Sequence, residues 1–262
     1  MKSTHDDQPT PRAFSGVDRL YGQGAHAALD RAAVLVVGVG GVGSWATEAL
    51  ARCGVGRIAI ADLDHVAESN INRQIQALVP TLGMAKTEAM VQRIAAINPA
   101  CVATPFEDFV TPENVAEVLG THYNVVIDCT DQVSAKVAMA LHCHAKGIRL
   151  LMAGAAGGRI DPTRIRCADL AAAQGDALLA RVRQLLRKSG QMPLPEKAPF
   201  GIDAVFSSEA MRRPNADSCD ARSTPQGLSC AGYGSSVCVT GAFGFALAAA
   251  AINHLLPLRS AG

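Results

Sequence analysis

Two patterns of apolar residues alternate between residues 33 and 160. Short apolar runs bounded by glycine or polar residues are typical of buried parallel strands, and apolar residues spaced three and four apart predict helices. Strands are predicted at 33–37, 57–61, 102–105, 124–128 and 150–153, and helices at 44–52, 86–97 and 133–146. This alternation predicts an α/β fold with a Rossmann-like, doubly wound and mostly parallel sheet.

Two helix boundaries in this region follow from local chemistry. Helix 86–97 ends at Asn98 because Pro99 disfavours the helical conformation in the residue before it. A further short helix is predicted to begin near Thr111, a favourable N-cap that is followed by Pro112 at the first helical position.

The pattern loosens after residue 158. Strands are predicted at 164–168 and 202–206 and a helix at 176–188, separated by loop-rich stretches. We therefore divide the chain into a flexible polar tail (1–14), a core (15–160) and a loop-rich C-terminal extension (161–262) that completes the same domain and the substrate site.

One apolar segment admits two interpretations. Residues 230–258 contain no Lys, Arg, Asp or Glu, and residues 237–251 are nearly all small and apolar. Length alone permits a membrane span. We predict a buried core helix instead, because the segment contains several glycines, is rich in alanine and has few Leu and Ile. Membrane association through 230–258 is the alternative.

Composition restricts the partners and the compartment. Apolar residues make up 49% of the 262 residues and charged residues 18%, which is enough for a buried core. A net charge of +1 gives no case for a general polyanion binder, so a nucleic-acid partner would need a local basic patch. None of the eight cysteines forms a C-x-x-C pair, and the polar N-terminus has no apolar stretch of the kind found in signal peptides. We predict a reduced, cytoplasmic protein.

A glycine-rich turn follows the first predicted strand and precedes a helix. Gly38, Gly40 and Gly43 fit the pattern G-x-G-x-x-G, and Gly41 adds a further glycine. Residues without a Cβ let the backbone approach a phosphate, and the helix N-terminus adds free N–H groups. The turn predicts nucleotide binding; a tight turn needed for packing is the alternative.

Two acids follow the second predicted strand. Asp62 lies at the strand end, about twenty residues after the turn, where an acid can accept hydrogen bonds from ribose hydroxyls. Asp64 could reach the ribose or a metal, or could cap a loop.

Amides and cations then accumulate before and at the start of the next helix. Arg73 and Lys86 carry the charge expected around β- and γ-phosphates, and Asn70 and Gln74 can donate amide hydrogens to the same groups. Each residue taken by itself is typical of a solvated side chain. Together they predict a triphosphate site.

A lone acid follows the fourth predicted strand. Asp131 comes just after Asp128 at the carboxyl end of the strand, where doubly wound sheets bind ligands. Mg²⁺ is usually held by one or two carboxylates and the substrate phosphates, so Asp131 is the predicted metal ligand. The alternative is an N-cap for the helix that begins near Val133.

The order of these motifs resembles that of the ubiquitin-activating-enzyme-like adenylating family, which includes the activators of the molybdopterin and thiamin sulfur carriers. The matching string is G-x-G-G-x-G-S, D-x-D, N-x-x-R-Q, a lysine and D-C-T-D. By this resemblance, the core at 15–160 is an ATP-binding adenylation core.

Other stretches resemble one subgroup of that family, the tRNA threonylcarbamoyladenosine dehydratases. The matching stretches are R-L-Y-G at 19–22, D-F-V-T-P at 108–112, G-G-R-I-D-P at 157–162, V-F-S-S-E at 205–209 and C-A-G-Y-G-S at 230–235. The resemblance implies a tRNA substrate, ATP and Mg²⁺ as cofactors, and adenylation of the threonine carboxylate of the modified adenosine. Pyrophosphate would leave first, and ring closure would then release AMP.

The resemblance also implies roles for individual residues. Arg73, Lys86 and a magnesium ion on Asp131 would neutralise charge as the α-phosphorus is attacked. Arg19 occupies the position of an arginine that reaches into the phosphate site of the neighbouring subunit in this family, which implies a homodimer. Arg19 could equally be a surface residue.

Candidate tRNA contacts lie in the C-terminal extension. Arg181, Arg183, Arg187 and Lys188 put four cations in eight residues, and Arg212 and Arg213 form a second pair, although such a helix face is often simply solvated. Phe200, Phe206 and Tyr233 could stack on a base, but each is more typical of a core residue.

Three other functions stay open. An activator of a ubiquitin-like sulfur carrier, with sulfur-transfer partner proteins, shares the fold, but the paired C-x-x-C zinc sites of many relatives and a rhodanese-like extension are missing here. An NAD-dependent oxidoreductase would use the glycine turn and Asp62 but gives no reason for Arg73, Lys86 and Asp131. A nucleotide-sensing partner protein would bind ATP without turnover. The cysteines, Cys219 included, have no obvious activating cations and are predicted to be structural.

Overall fold

A seven-stranded sheet forms the centre of the molecule in the computed structural model, which describes residues 10–192, 195, 198–212 and 233–256. The strands are β1 (Ala33–Val37), β2 (Arg57–Ala61), β3 (Val102–Phe106), β4 (Val125–Asp128), β5 (Arg149–Ala153), β6 (Ile165–Asp169) and β7 (Asp203–Ser207). Their order is β3-β2-β1-β4-β5-β7-β6, and all neighbours are parallel except β6 and β7. The predicted doubly wound, mostly parallel sheet is confirmed.

Helices cover both faces of this sheet. They are α1 (Ser15–Tyr21), α2 (Ala25–Arg31), α3 (Gly43–Arg52), α4 (Lys86–Ile97), α5 (Val115–Leu119), α6 (Val133–Lys146), α7 (Ala177–Ser189) and α8 (Val237–Leu255). One core layer contains Met139 of α6 and Val182 of α7, and the other contains Leu50 of α3 and Phe243 of α8. Because both faces are covered, the central strand β1 consists entirely of buried apolar residues, as predicted.

One predicted helix start is wrong. The short helix α5 begins at Val115, four residues after Thr111. The side chain of Asn114 accepts a hydrogen bond from the Thr111 N–H (2.7 Å) and donates to the Phe109 carbonyl (2.8 Å). These bonds satisfy the backbone as a turn, so the helix starts only after Asn114.

Helix α8 is long and apolar enough to span a membrane by length and composition. Half of its most apolar stretch is buried, and Phe243, Leu247 and Ala251 face the core. A Cβ at Gly244 would collide with the backbone of Val42 and the side chain of Trp45, so the glycine permits close contact between α8 and α3. This packing explains the apolar residues on the buried part of α8.

The chain after residue 160 extends the same sheet rather than building a separate one. Strand β7 pairs with β5 in parallel, and β6 returns antiparallel along the outer edge of β7. The division into tail, core and extension stays a prediction, and residues 1–9 of the tail lie outside the described residues.

Candidate functional site

A cavity of about 900 Å³ opens at the carboxyl ends of β1, β2, β4 and β5. Strand order reverses between β1 and β4, and ligands of doubly wound sheets bind at such a crevice. Most of the predicted site residues line this cavity: Gly38, Gly40, Gly41, Asp62, Asp64, Asn70, Arg73, Gln74, Lys86 and Asp131. Gly43 and Arg19 do not.

The glycine turn needs its glycines for two different reasons. Gly38 has φ +83°, and a Cβ there would lie 3.2 Å from the backbone of Cys129 in the neighbouring loop. A Cβ at Gly43 would overlap the carbonyl oxygen of Gly38. Gly43 therefore lets α3 pack closely against the turn, which is the alternative role predicted for this motif. Gly40 and Gly41 line the cavity.

Asp62 connects the end of β2 to the glycine turn. One carboxylate oxygen accepts the Val39 N–H (2.8 Å) and the other accepts the Asp64 N–H (2.9 Å). A carboxylate oxygen can accept more than one hydrogen bond, so Asp62 can also receive a hydroxyl group of a ligand.

Asp64 forms an ion pair with Lys86. The Lys86 Nζ lies 2.6 Å from Asp64 Oδ2, and the side chain of Lys86 is 7% exposed whereas that of Asp64 is 54% exposed. The sequence prediction for Asp64 named a ribose, a metal or a loop cap and missed this partner. The arrangement holds a buried ammonium group at the cavity wall with a solvated counterion.

The segment carrying Arg73 is held against α3. Trp45 Nε1 donates to the Arg73 carbonyl (2.9 Å), and the aliphatic part of Arg73 lies over Gly41. The guanidinium donates to the Ser69 carbonyl (2.7 Å) and to the Asn72 side chain (2.9 Å). Five donors on the group leave others for a ligand.

Asn70 starts this same turn and is nearly buried. Its side-chain oxygen accepts the Ala67 N–H (3.1 Å), and its backbone carbonyl accepts the N–H groups of Arg73 and Gln74. These bonds fix the start of the turn from which Arg73 and Gln74 reach the cavity.

Two acids at the end of β4 have different surroundings. Asp128 is fully buried; it accepts hydrogen bonds from the Thr130 N–H and hydroxyl and lies 3.1 Å from Lys136 Nζ. Asp131 is exposed to the cavity and has no hydrogen bond or ion pair with the part of the chain that the structure describes. Asp131 does not cap α6, whose N-cap position belongs to Gln132.

The Asp131 carboxylate thus suits a Mg²⁺ ion that also takes phosphate oxygens. Within the described residues there is no cluster of three or more Asp, Glu, His or Cys that could hold a metal by protein ligands alone.

Sequence reasoning assigned no site role to several other residues that line the cavity. They are residues 108–113 and 153–156 with Ser134, Leu178 and Thr240. The 153–156 segment is held by Asp176, which accepts the Ala155 N–H (2.8 Å) and caps α7 through the Leu179 N–H (3.0 Å).

Arg159, Asp176 and Glu209 form a buried group that we call the Arg159 clamp. Arg159 lies 3.6 Å from Asp176 and donates to four carbonyl oxygens, those of Ala155, Gly175, Ser207 and Glu209. Glu209 accepts the N–H groups of Asp161 (2.9 Å) and Ile160 (3.0 Å), and these bonds hold its pKa below the ordinary value. The clamp fixes the loop after β5.

A signal for the clamp was present in the sequence. Arg159 belongs to the stretch G-G-R-I-D-P, which also carries Asp161, and Glu209 is the charged residue of V-F-S-S-E. Their pairing was invisible because fifty residues separate them.

The family model that matches this chain is the ThiF family, over residues 17–257. The chain belongs to the ThiF family. It is 44% identical over 249 residues to the tRNA threonylcarbamoyladenosine dehydratase of Escherichia coli K12, covering 93% of this chain and 91% of that protein.

Solved structures agree with this assignment. The E. coli tRNA N6-threonylcarbamoyladenosine dehydratase, in complexes with ATP and with AMP, superposes with a TM-score of 0.85 at 41% identity, covering 94% of each chain. The molybdopterin-synthase adenylyltransferase of Salmonella typhimurium is 37% identical over 128 residues, but the match covers only 49% of this chain and 51% of that protein.

Arg19 lies apart from the cavity of its own ThiF-family chain. It is exposed on α1, whose neighbour Asp18 accepts the backbone N–H of His26 (2.8 Å) and so holds α1 to α2. The position of Arg19 is compatible with either a surface residue or a contact to a second copy.

The predicted tRNA-binding cations divide into two groups. Arg183 donates to the carbonyls of Leu170 and Ala173, and Arg187 lies 4.8 Å from the ring of Phe200. Arg181 and Lys188 remain exposed. We therefore retain Arg181 and Lys188 as the candidates on α7.

The remaining candidates for RNA contact are mostly accounted for. Arg212 is exposed and lies 3.7 Å from Glu209, whereas Arg213 is outside the described residues. Phe200 and Phe206 are core residues, as predicted, and Tyr233 is partly buried.

Five of the six described cysteines have a raised thiol pKa. Burial raises the pKa of Cys53, Cys129 and Cys167, and raises those of Cys101 to about 11 and Cys143 to about 12. A raised pKa lowers the fraction of reactive thiolate at neutral pH. Cys219 and Cys230 lie outside the described residues.

Proposed function

We propose that this protein is an ATP-dependent tRNA threonylcarbamoyladenosine dehydratase. The near-full-length likeness to the E. coli enzyme supports this function. The observation that carries it is the convergence of Arg73, Lys86 and Asp131 on one cavity beside the glycine turn. An enzyme that only transfers hydride to NAD has no use for that set.

In the proposed reaction, a carboxylate oxygen of the threonyl group attacks the α-phosphorus of ATP. The bond to the β-phosphate oxygen breaks and pyrophosphate leaves. The carbamoyl group then attacks the activated carboxyl carbon, and AMP departs as the ring closes. The sum is loss of one water from the modified base and cleavage of ATP to AMP and pyrophosphate.

The residues act mainly by position and charge. The Lys86 ammonium and the Arg73 guanidinium oppose the charge that develops on the phosphates, and Asp62 receives the ribose. When bound, Mg²⁺ would be held by Asp131 and would neutralise phosphate charge. Each of these ligand contacts is part of the proposal.

The proposal includes a homodimer in the cytoplasm, with Arg19 of one copy directed at the phosphates bound by the other. Because Arg19 lies outside its own cavity, a second copy is the way in which this cation could take part.

The second candidate function is activation of a ubiquitin-like sulfur carrier, a reaction that uses the same adenylation step. The similarity to the molybdopterin-synthase adenylyltransferase favours it, although that similarity covers only half of the chain.

Mass spectrometry of tRNA distinguishes these functions. Purified protein, Mg-ATP and tRNA carrying threonylcarbamoyladenosine should yield the cyclic base, one water lighter, with one AMP and one pyrophosphate per ring. Parallel reactions replace ATP by NAD or tRNA by a carrier protein ending in Gly-Gly. No cleavage between the α- and β-phosphates with tRNA would contradict the proposal, and pyrophosphate exchange that depends on the carrier would favour the second candidate.

A further inference from the structure

Gln76 lies behind the cavity and is not explained by the proposed reaction. It is 2% exposed, and it contacts the glycine turn on one side and Gln74 on the other. Its Nε2 donates to the Val39 carbonyl (2.8 Å) and to Gln74 Oε1 (3.1 Å). Gln74, in contrast, lines the cavity.

The Val39 carbonyl determines the orientation of both amides. A carbonyl oxygen only accepts hydrogen bonds, so the Gln76 atom beside it must be the NH₂ group. The second hydrogen of that group then requires an acceptor, which must be Oε1 of Gln74. The NH₂ group of Gln74 is consequently turned the other way, and it lies 3.9 Å from the position of a Cβ built at Gly40.

This orientation matters because the two ends of an amide interact oppositely with phosphate. The NH₂ group donates to phosphate oxygens, whereas the carbonyl oxygen repels them. Gln74 is 5% exposed, and no group in the described residues accepts a hydrogen bond from its Nε2. Among the described residues, this nearly buried donor has no partner, and it lies at the cavity.

Gln76 is poorly suited to a role in stability alone. Its Oε1 is buried and has no partner among the described residues, and an unpaired buried acceptor destabilises the folded state. The Gln76 side chain therefore uses its NH₂ group as a donor while its Oε1 stays without a partner among the described residues.

We propose that Gln76 is a positioning residue that holds the Gln74 amide as a hydrogen-bond donor toward the phosphates of the nucleotide. Gln76 touches no ligand and acts through Gln74. The inference rests on the proposed function only in taking ATP as the ligand.

Two variants of Gln76 change this orientation in different ways. Gln76→Leu removes both bonds and lets the Gln74 amide rotate, so we expect ATP affinity to fall about tenfold. Gln76→Glu keeps the shape but presents only acceptors, so Gln74 would donate to it and turn its oxygen toward the phosphates. We expect a larger loss for Gln76→Glu, about a hundredfold.

Combination with Gln74→Ala separates positioning from a general structural role. In that background Gln76→Leu should not weaken ATP binding further, because the group that Gln76 orients is gone. Gln92→Glu, a change of the same kind on the exposed side of α4, is the matched control and should leave binding unchanged.

Equilibrium titration with ATP is the measurement, with urea unfolding to compare stabilities. The inference is overturned if Gln76→Leu binds ATP as the wild type does. It is also overturned if Gln76→Leu lowers the ATP affinity of the Gln74→Ala variant by the same factor as it lowers that of the wild type. The titration needs no tRNA. A protein that binds ATP in this pattern but forms no cyclic base would refute the proposed function and keep the role of Gln76.

Discussion

The nucleotide side of the cavity, which carries Gln74, Lys86 and Asp131, and the buried Arg159 clamp use charge in opposite ways. On the nucleotide side, the Asp131 carboxylate and the Gln74 amide have groups that no described residue satisfies, and the buried Lys86 ammonium has a solvated partner. In the Arg159 clamp, the guanidinium donates to four carbonyls and both acids accept backbone N–H groups.

This difference separates groups that await a ligand from groups that hold the fold. A buried charge that the protein already satisfies gains nothing from a ligand, whereas an unsatisfied one does. Substitutions on the two sides should therefore affect different measurements: turnover on the nucleotide side, and stability in the clamp.

The largest effect is expected on the nucleotide side. Lys86→Met or Asp131→Asn should lower the rate of ring closure by about a thousandfold, roughly 4 kcal/mol, because the first removes a cation that opposes phosphate charge and the second removes the carboxylate that would hold Mg²⁺ there. Urea unfolding should show a stability close to wild type, since Asp64 is solvated and Asp131 has no described partner. Near-wild-type turnover in either variant would refute the site assignment.

The clamp should show the reverse pattern. Arg159→Met leaves Asp176 and four carbonyls without their donor, so the free energy of unfolding should fall by about 3 kcal/mol. Arg164→Met, an exposed arginine nearby, should cost less than about 0.5 kcal/mol. If Arg159→Met unfolds at the wild-type urea concentration, the clamp does not stabilise the loop.

A third test asks whether the nucleotide side is complete within one chain. Arg19→Ala should reduce turnover about tenfold through loss of a cation at the phosphates. Mixing Arg19→Ala with inactive Lys86→Met should then restore about a quarter of wild-type activity, because half of the dimers are mixed and each has one intact site. Activity that merely averages the two variants would exclude a contribution in trans.

A smaller effect is expected on α7, outside both the nucleotide side and the clamp. Arg181→Ala combined with Lys188→Ala should raise the KM for tRNA about threefold and reduce the salt dependence of binding, because two phosphate contacts are lost. The KM for ATP should not change. Arg57→Ala, an exposed cation at the start of β2, serves as the control. An unchanged salt dependence would remove α7 from the tRNA surface.

The smallest effect tests how Glu209 serves the clamp. Hydrogen bonds from the N–H groups of Asp161 and Ile160 lower the pKa of Glu209 in the folded state. The ionised carboxylate therefore stabilises the fold fully at pH values above its ordinary pKa of about 4.5. That contribution is lost as the pH falls through the lower, folded-state pKa. Glu209→Gln should lower Tm at pH 7, and the difference should shrink below pH 4 as measured by circular dichroism. A difference that does not change with pH would contradict this.

The sequence by itself determined most of the architecture. Strands β1 and β2 and helices α4 and α6 have the predicted bounds, because buried runs and helical spacing are local properties of the chain. It also predicted polar residues that line the nucleotide side of the cavity: Asp62 follows the end of β2 and Asp131 that of β4, and the amides and cations lie in the connection between β2 and α4 and at the start of α4. The prediction of a helix start near Thr111 was wrong because hydrogen bonds of the Asn114 side chain form a turn there, and the helix begins at Val115.

Only the tertiary structure decided which polar groups satisfy one another. It paired Asp64 with Lys86, buried Asp128 against Lys136 while leaving Asp131 at the cavity, and joined Arg159 to Glu209 across fifty residues. The physical reason is that the sequence identifies the chemistry of a charged side chain but does not identify the group that it contacts. The partner depends on which distant segments the packed sheet brings within hydrogen-bond distance.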